Sequence, residues 1–370
     1  MQWLRVSFFA AASCVVPTTT LNFLSVGDWG DTEAKTYHVA ELMGEYAEAH
    51  DAQFVIAIGD NMYDTGVTSV NDGQFQSKFE DTFTAAALQV PFYVTSGNHD
   101  YYGSVDAQIE YTERSSRWTF PNYYYKRVIE KDGISIALIS IDTWRLNAGD
   151  TYVKFDTRTN TGVVRDVEKL RRDLKDGKLT EGAYQSITRT FSSSKKKAAP
   201  LLGEKEEEDL HVAVVQQDFE QLEQIEIWLE ETVRDANDWV LVQGHFPIYS
   251  CTTGEHGNTP VLITDLLPLL VEYNVTAYFS GHDHVLQHIN RGGLHMFGSG
   301  TGARSHTGIN VDFPGLVHAD HGIYGFMLHK ADKTTFQTTF VVNNDGQAEE
   351  TYAVTISKQQ TTTPAPLLPK

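Results

Sequence analysis

The sequence predicts an α/β fold whose central strands run parallel and end in loops that carry acidic or histidine side chains. Three observations lead there. Leu21 to Val26 and Gln53 to Ile58 are continuous apolar runs of strand length, and unbroken rather than alternating apolar character is what a strand covered on both faces needs. Between them, Asp31 or Thr32 is placed to cap a helix running to about His50, with Val39, Leu42, Met43 and Tyr46 at helical spacing. The runs end in Gly27-Asp28-Trp29-Gly30 and Gly59-Asp60-Asn61-Met62-Tyr63, and the carboxyl ends of parallel strands are where such folds place ligand chemistry.

A right-handed crossover makes this first unit a parallel βαβ, so Asp28 and Asp60 are expected at one edge of one sheet. A helix around Gly73 to Phe83 leads to a third strand, Pro91 to Ser96, and to Gly97-Asn98-His99-Asp100. Tyr123-Tyr124-Tyr125 and Ile134 to Ile141 read as antiparallel strands. From about 147 to 216 the pattern breaks into charge-rich sequence, including Ser192 to Lys197 and Glu204 to Asp209, with a short helix expected near Val164 to Leu174. Such an excursion is either a functional lid or a passive solvated insertion. Order returns at Asp218, which is placed to cap a helix with Gln221 in the reciprocal position and an apolar face of Phe219, Leu222, Ile225, Trp228 and Leu229. Trp239 to Val242 is a strand ending at Gly244-His245, Val261 to Tyr273 a helix with a restart at Pro268, and Thr276 to Phe279 a strand ending at Gly281-His282-Asp283-His284. Thr335 to Val342 and Glu350 to Ile356 close the domain as alternating strands. The expected division is 1–20 as signal peptide and arm, 21–358 as a single domain with the insertion at about 147–216, and 359–370 as a disordered tail.

Hydrophobic content of 41% and aromatic content of 11% allow a sizeable core. A formal net charge of -20 argues against a nucleic-acid backbone or an anionic membrane as partner, since both would be repelled. An anionic substrate would need local positive charge, which metal ions supply. The chain has 2 cysteines, Cys14 and Cys251, so no disulfide framework organises it. Residues 1–13 combine one cation, a short apolar core and small residues, the pattern of a secretory signal. No stretch approaches the roughly 18 to 20 apolar residues needed to span a bilayer. Asn274-Val275-Thr276 is a glycosylation sequon, relevant if the chain is secreted, and its closeness to a strand suggests partial burial.

Every loop after a central strand carries a metal-compatible side chain: Asp28; Asp60 with Tyr63; Asn98 with His99; His245; His282 with His284. Each alone is weak, because glycine-aspartate pairs are common turns and loop histidines are common hydrogen-bonding groups. All of them at strand ends beside glycines point to one site. In an extended segment, His282 and His284 would project to the same side and serve two ions of a close pair. Asp60, with two oxygens, suits a bridge between ions about 3.5 to 4 Å apart. A Tyr63 phenolate requires a strongly acidic ion such as Fe(III), and the neutral donors Asn98, His245 and His282 suit a divalent partner.

These residues resemble the purple acid phosphatases of the calcineurin-like metallophosphoesterases, in particular the small tartrate-resistant type. The five blocks stand as Gly27-Asp28-Trp29-Gly30, Gly59-Asp60-Asn61-Met62-Tyr63, Gly97-Asn98-His99-Asp100, Val242-Gln243-Gly244-His245 and Gly281-His282-Asp283-His284. The resemblance runs from about Leu21 to Thr143 and from Ile225 to Ser299, and fades over the insertion and most of the last seventy residues. It implies a calcineurin-like metallophosphoesterase fold, a βαβαβ-based two-sheet sandwich flanked by helices. It also implies that Asp28, Asp60, Tyr63 and His284 hold Fe(III), and that Asp60, Asn98, His245 and His282 hold a divalent ion, Fe, Zn or Mn. Where most other calcineurin-like enzymes have a histidine, this chain has Gly30, and Tyr63 takes over.

The expected activity is acid hydrolysis of phosphate monoesters, small ones or those on phosphorylated proteins, by a metal-bound hydroxide, with His99 and His256 as the catalytic histidines and Asp100 and Glu255 as candidates to orient them. The expected setting is a monomer, without an added β-sandwich domain, secreted or delivered to a lysosome or vacuole, its insertion a lid cut by an activating protease near Ser192 to Lys197. With iron in both positions, redox cycling is open to it. A phosphodiesterase on nucleotides or lipids with the same site stays open, as does a non-catalytic protein keeping the fold, though the complete ligand set speaks against the latter.

Overall fold

A computed structural model describes residues 19–147, 153–156, 161–164, 175, 218–254 and 256–358. The chain runs β1 (Leu21–Val26), α1 (Ala34–His50), β2 (Ala52–Ile58), β3 (Phe92–Thr95), α2 (Val105–Glu110) and β4 (Trp118–Thr119). It continues with β5 (Tyr125–Lys131), β6 (Ile134–Ser140), α3 (Thr143–Leu146), β7 (Val153–Asp156), β8 (Thr161–Val164), α4 (Phe219–Arg234), β9 (Trp239–Gln243) and α5 (Leu267–Glu272). Then follow β10 (Ala277–Ser280), β11 (Leu286–Arg291), β12 (Leu294–Ser299), β13 (Leu316–Asp320), β14 (Gly325–Ala331), β15 (Thr335–Asn344) and β16 (Gln347–Ser357).

Two 7-stranded sheets form, in the orders β16-β15-β14-β1-β2-β3-β4 and β13-β11-β12-β10-β9-β6-β5, with β7 and β8 as a separate antiparallel pair. β1 to β4 are mutually parallel, as are β6, β9, β10 and β12, while antiparallel strands build the outer parts. The expected βαβ crossover and the β5–β6 hairpin are both present.

The continuous apolar runs now have their reason. Phe23, Phe54, Ile56 and Ile58 pack between the sheets against Ile136, Leu138, Leu241, Phe279 and Phe297, while Leu24, Val26, Val55 and Ala57 turn the other way, toward α1 and the aromatic layer of Phe79, Phe83, Phe92 and Trp118. The second sheet is covered on its outer face by Ile225 and Leu229 of α4 and by Leu270 of α5. Each fully buried Phe or Ile contributes about 2 kcal/mol from apolar area alone.

Several local expectations are corrected. Neither Asp31 nor Thr32 caps α1; Glu33 stands at the cap without a side-chain bond, and the Asp31 carboxylate accepts the Thr32 amide at 2.7 Å and pairs with Arg304 instead. Asp218 does cap α4, accepting the Gln221 amide at 3.0 Å, but the Gln221 side chain does not return to the cap. It accepts the Asp142 amide at 2.7 Å and donates to the Asp142 carbonyl at 3.2 Å, fastening the helix to the end of β6. The helix expected around 73–83 is a shorter π-helical turn, Gln76–Glu80, whereas the helix expected over 261–273 with a kink or restart at Pro268 is present, as a π-helical turn, Leu262–Leu266, continued by α5 with proline at its start. The expected signal peptide, the expected cleavage site near 192–197 and the expected tail lie outside the described residues, as does the helix expected near 164–174 except for Val164, which ends β8. Asn274 sits exposed in the turn between α5 and β10, not partly buried. Among the described residues no helix is long and apolar enough to cross a membrane.

At the end of the sandwich where β9 begins, Asp238 joins the sheets. It accepts the Ser135 amide at 2.9 Å, Lys333 Nζ at 2.7 Å and Lys358 Nζ at 2.8 Å. Burial opposes its ionisation, but the two lysines and the Ser135 amide outweigh that and hold its pKa down to about 2. A carboxylate depressed in the folded state stabilises above its unfolded pKa of about 3.9 and loses that contribution as pH falls through the folded value. Asp238→Asn is therefore expected to lower stability by about 1 kcal/mol above pH 5, the exposed lysines being screened. In urea titrations the gap from wild type should close between about pH 4 and pH 2.

Candidate metal centre

The carboxyl ends of β1, β2 and β3 from one sheet and of β9 and β10 from the other converge, and their loops deliver the side chains. Asp28 and Asp60 have positive φ, 56° and 51°, which turns each carboxylate back over its strand end. His282 also has positive φ, 68°, so His282 and His284 are not carried by extended backbone as expected. A tight turn presents them, held by the His282 amide donating to Asp28 Oδ2 at 2.8 Å.

Asp28 Oδ1 lies 3.0 Å from the Tyr63 hydroxyl and 3.4 Å from His284 Nε2, and the hydroxyl is 3.5 Å from that same nitrogen. Asp60 Oδ1 lies 3.4 Å from His245 Nε2 and accepts the His99 amide at 2.9 Å. Ligand atoms of Asp28, Asp60 and His245 fall within 4.8 Å of one another, all three residues buried. The His282 ring centroid is 5.2 Å from that of His245. The structure thus gathers Asp28, Asp60, Tyr63, His245, His282 and His284 in one chain of contacts. Asn98 joins them at the end of β3, next to the His99 amide that binds Asp60.

Two buried donors point to cations. His245 Nδ1 donates to the Ile58 carbonyl at 2.8 Å, which commits that nitrogen and leaves the buried Nε2, without a hydrogen-bond partner among the described residues, to take a proton or a cation. Asn98 Nδ2 donates to the Tyr102 hydroxyl at 3.1 Å, and its Oδ1 is likewise buried without a donor. Carboxylates, a phenol, an imidazole lone pair and an amide oxygen form a donor set suited to cations and poorly satisfied by hydrogen bonds alone.

The electrostatics agree. Burial works against the Asp60 carboxylate, yet His245 and His99 hold its pKa well below the usual range. His245 is raised to about 10, against burial, by Asp60 and Asp28, so a proton occupies this imidazole when no cation competes for it. His282 is pushed far down by burial and by His256, His245, His284 and His99, and stays neutral. Burial, Asp28 and Asp60 raise the Tyr63 phenol well above its ordinary value, so the expected phenolate requires a cation to replace the proton it shares with Asp28.

His99 donates Nδ1 to the Asp64 carbonyl at 2.6 Å and is half-buried beside the Tyr63 ring, centroids 4.7 Å apart. His256 is exposed on the other side, its ring 3.9 Å from that of His282. Asp100 does not orient the His99 imidazole. It is fully buried and accepts the amides of Asn61, Met62 and Gly97 and the Gln108 side chain, joining the β2 and β3 loops, and burial with the nearby Asp60 charge pushes its pKa up to about 6. Glu255 lies outside the described residues.

Sequence reasoning missed Arg304, Lys78 and Tyr102. Lys78 is buried and donates to the Tyr63 carbonyl and to Gln74 Oε1, the latter at 2.7 Å. Arg304 follows Gly300-Thr301-Gly302, a glycine-rich loop after a strand like the five others, and that signal could have found it.

Gly97 and Gly281 show why the loops begin with glycine. A Cβ on Gly97 would stand 2.2 Å from Asp60 Oδ1, and one on Gly281 2.4 Å from Asp28 Oδ2. Gly97→Ala is expected to displace Asp60 and weaken metal retention at least tenfold, measured as metal per chain after dialysis against graded chelator, with the far-ultraviolet circular dichroism unchanged.

The calcineurin-like phosphoesterase family matches residues 21–215 and 203–286. Tartrate-resistant acid phosphatase type 5 of Rattus norvegicus is 35% identical over 290 residues, 75% of this chain and 71% of that one. Purple acid phosphatase 3 of Arabidopsis thaliana is 31% identical over 328 residues, 87% of this chain and 74% of its own. Among solved structures, GAP50, described as the anchor in the inner membrane complex of Plasmodium, superposes with a TM-score of 0.67 at 20% identity, covering 93% of this chain and 90% of that one, a likeness of fold. With this sequence similarity on a two-sheet α/β fold that gathers acidic and histidine side chains at its strand ends, the chain belongs to the calcineurin-like phosphoesterases, among the purple acid phosphatases.

Proposed function

We propose that the chain hydrolyses phosphate monoesters at a Fe(III) and divalent metal pair held by Asp28, Asp60, Tyr63, Asn98, His245, His282 and His284. The observation that carries the reading is the buried junction of Asp28, Tyr63, Asp60 and His245, where the carboxylates meet a phenol and an imidazole whose second nitrogen is already committed to the Ile58 carbonyl. Bound ions would supply Lewis acidity toward phosphoryl oxygen and acidify water at neutral or lower pH.

The protein's own groups account for the rest. The Ile58 carbonyl and Tyr102 hydroxyl orient His245 and Asn98 before any ion arrives. The Asp64 carbonyl holds the proton of His99 on Nδ1, which leaves Nε2 to meet a phosphate ester and its leaving oxygen. His256, across from it and exposed, is the second such group. The amino-terminal signal pattern supports a secreted or lysosomal destination for the enzyme.

The decisive experiment is spectroscopic. The purified metal-loaded protein is expected to show a visible tyrosinate-to-iron band that Tyr63→Phe abolishes; a colourless protein that holds both metals and is active would overturn the ferric assignment. His99→Ala is expected to lower kcat on a phosphomonoester by about 10² to 10⁴. Turnover of a phosphodiester exceeding that of the monoester would favour the diesterase alternative.

A further inference from the structure

The segment after β12 is laid across the metal centre from outside. The Ser299 carbonyl accepts the Gly27 amide at 2.8 Å, the Ala303 amide donates to the Asp28 carbonyl at 2.7 Å, and the His306 amide donates to the His284 carbonyl at 2.9 Å. From this strap Arg304 reaches the other side of the site. Its guanidinium carbon lies 4.5 Å from the centroid of the Tyr63 ring. One terminal nitrogen is 2.9 Å from Asp31 Oδ2 and 3.1 Å from Asp64 Oδ1. The backbone carbonyl of that same Asp64 holds His99 Nδ1.

Two carboxylates neutralise this guanidinium, so it has little charge left for an incoming phosphate. Asp31, which could have capped α1, is turned to it instead. What the arrangement supplies is a planar cation stacked on one ligand and paired with the residue that orients a catalytic histidine.

We propose that Arg304 is a positioning residue: stacked on Tyr63 and paired with Asp31 and Asp64, it fixes the Tyr63–Asp64 segment so that the Tyr63 oxygen stays beside Asp28 and the Asp64 carbonyl stays on His99. The inference rests on the reading of Tyr63 as a ferric ligand. A cation over the ring stabilises the ring electrons that a tyrosinate-to-iron transition would move, so its loss shifts that band to lower energy. Lysine keeps the charge but lacks the planar fork and the stacking face.

The test compares metal-loaded full-length wild type, Arg304→Gln and Arg304→Lys by visible spectrum, metal content and steady-state kinetics on p-nitrophenyl phosphate. Arg304→Gln is expected to retain both metals, to shift the band to longer wavelength on the order of 10 nm, and to lower kcat about tenfold with KM changed less than about twofold. Arg304→Lys is expected to shift the band less than Arg304→Gln while still losing kcat. A coloured wild type whose band and kcat are unchanged in Arg304→Gln overturns the positioning role and leaves the ferric reading intact. A wild type that holds both metals without any band overturns both. Should Arg304→Gln fail to fold, Arg304→Lys decides, and a variant with wild-type band and kcat overturns the proposal.

Discussion

Two carboxylates, Asp28 and Asp60, are buried together at the point where two sheets meet, and most of the surrounding structure answers to that fact. Taking charge out of water is costly, and placing a second like charge beside it adds to the cost. The fold answers with amides and imidazoles: His282 N on one oxygen of Asp28, His99 N on one of Asp60, His245 beside Asp60 and His284 beside Asp28. These donors do not complete the coordination of the carboxylates. His245 Nε2 and Asn98 Oδ1 are also buried without a hydrogen-bond partner among the described residues, so the site has room for further positive charge.

The distance between the two groups of side chains is set by the core. Asp28, Asp60 and Asn98 come from the first sheet, and His245, His282 and His284 from the second, so the separation of the sheets sets the separation of the two groups. Stacked Phe23 and Phe54 on one side and Phe279 and Phe297 on the other fill that gap, with ring centroids 4.5 Å and 5.7 Å apart within each pair. Close-packed aromatic rings resist compression and leave few alternative spacings. Core packing is in this sense a component of the metal centre.

Around the centre the loops are tied to one another as well as to their strands. Asp100 gathers the β2 and β3 loops through backbone amides, Lys78 holds the Tyr63 carbonyl, and the segment after β12 crosses the loops of Asp28 and His284. A buried aspartate surrounded by amide donors is a device for fixing backbone: burial and the Asp60 charge oppose its ionisation, and the donors offset part of that. Such ties hold side chains within the narrow tolerances that ligand geometry demands.

The amino-acid sequence by itself determined the βαβ start, the strand ends and the acidic, phenolic and imidazole side chains that follow them. Strand and ligand signals are local: an apolar run, a glycine and a polar side chain lie within a few residues of one another. Tertiary structure decided what depends on partners far along the chain. Asp31 and Gln221 look like helix-capping residues locally, yet Arg304 and Asp142 claim them because those contacts satisfy groups more deeply placed. His282-Asp283-His284 suggested extended backbone, and the positive φ of His282 follows from the need for its amide to reach Asp28, which is 254 residues away. The loop that carries Arg304 has a local signal, but what Arg304 does was decided by folding, because its partners are a ring and two carboxylates contributed by other strands' loops.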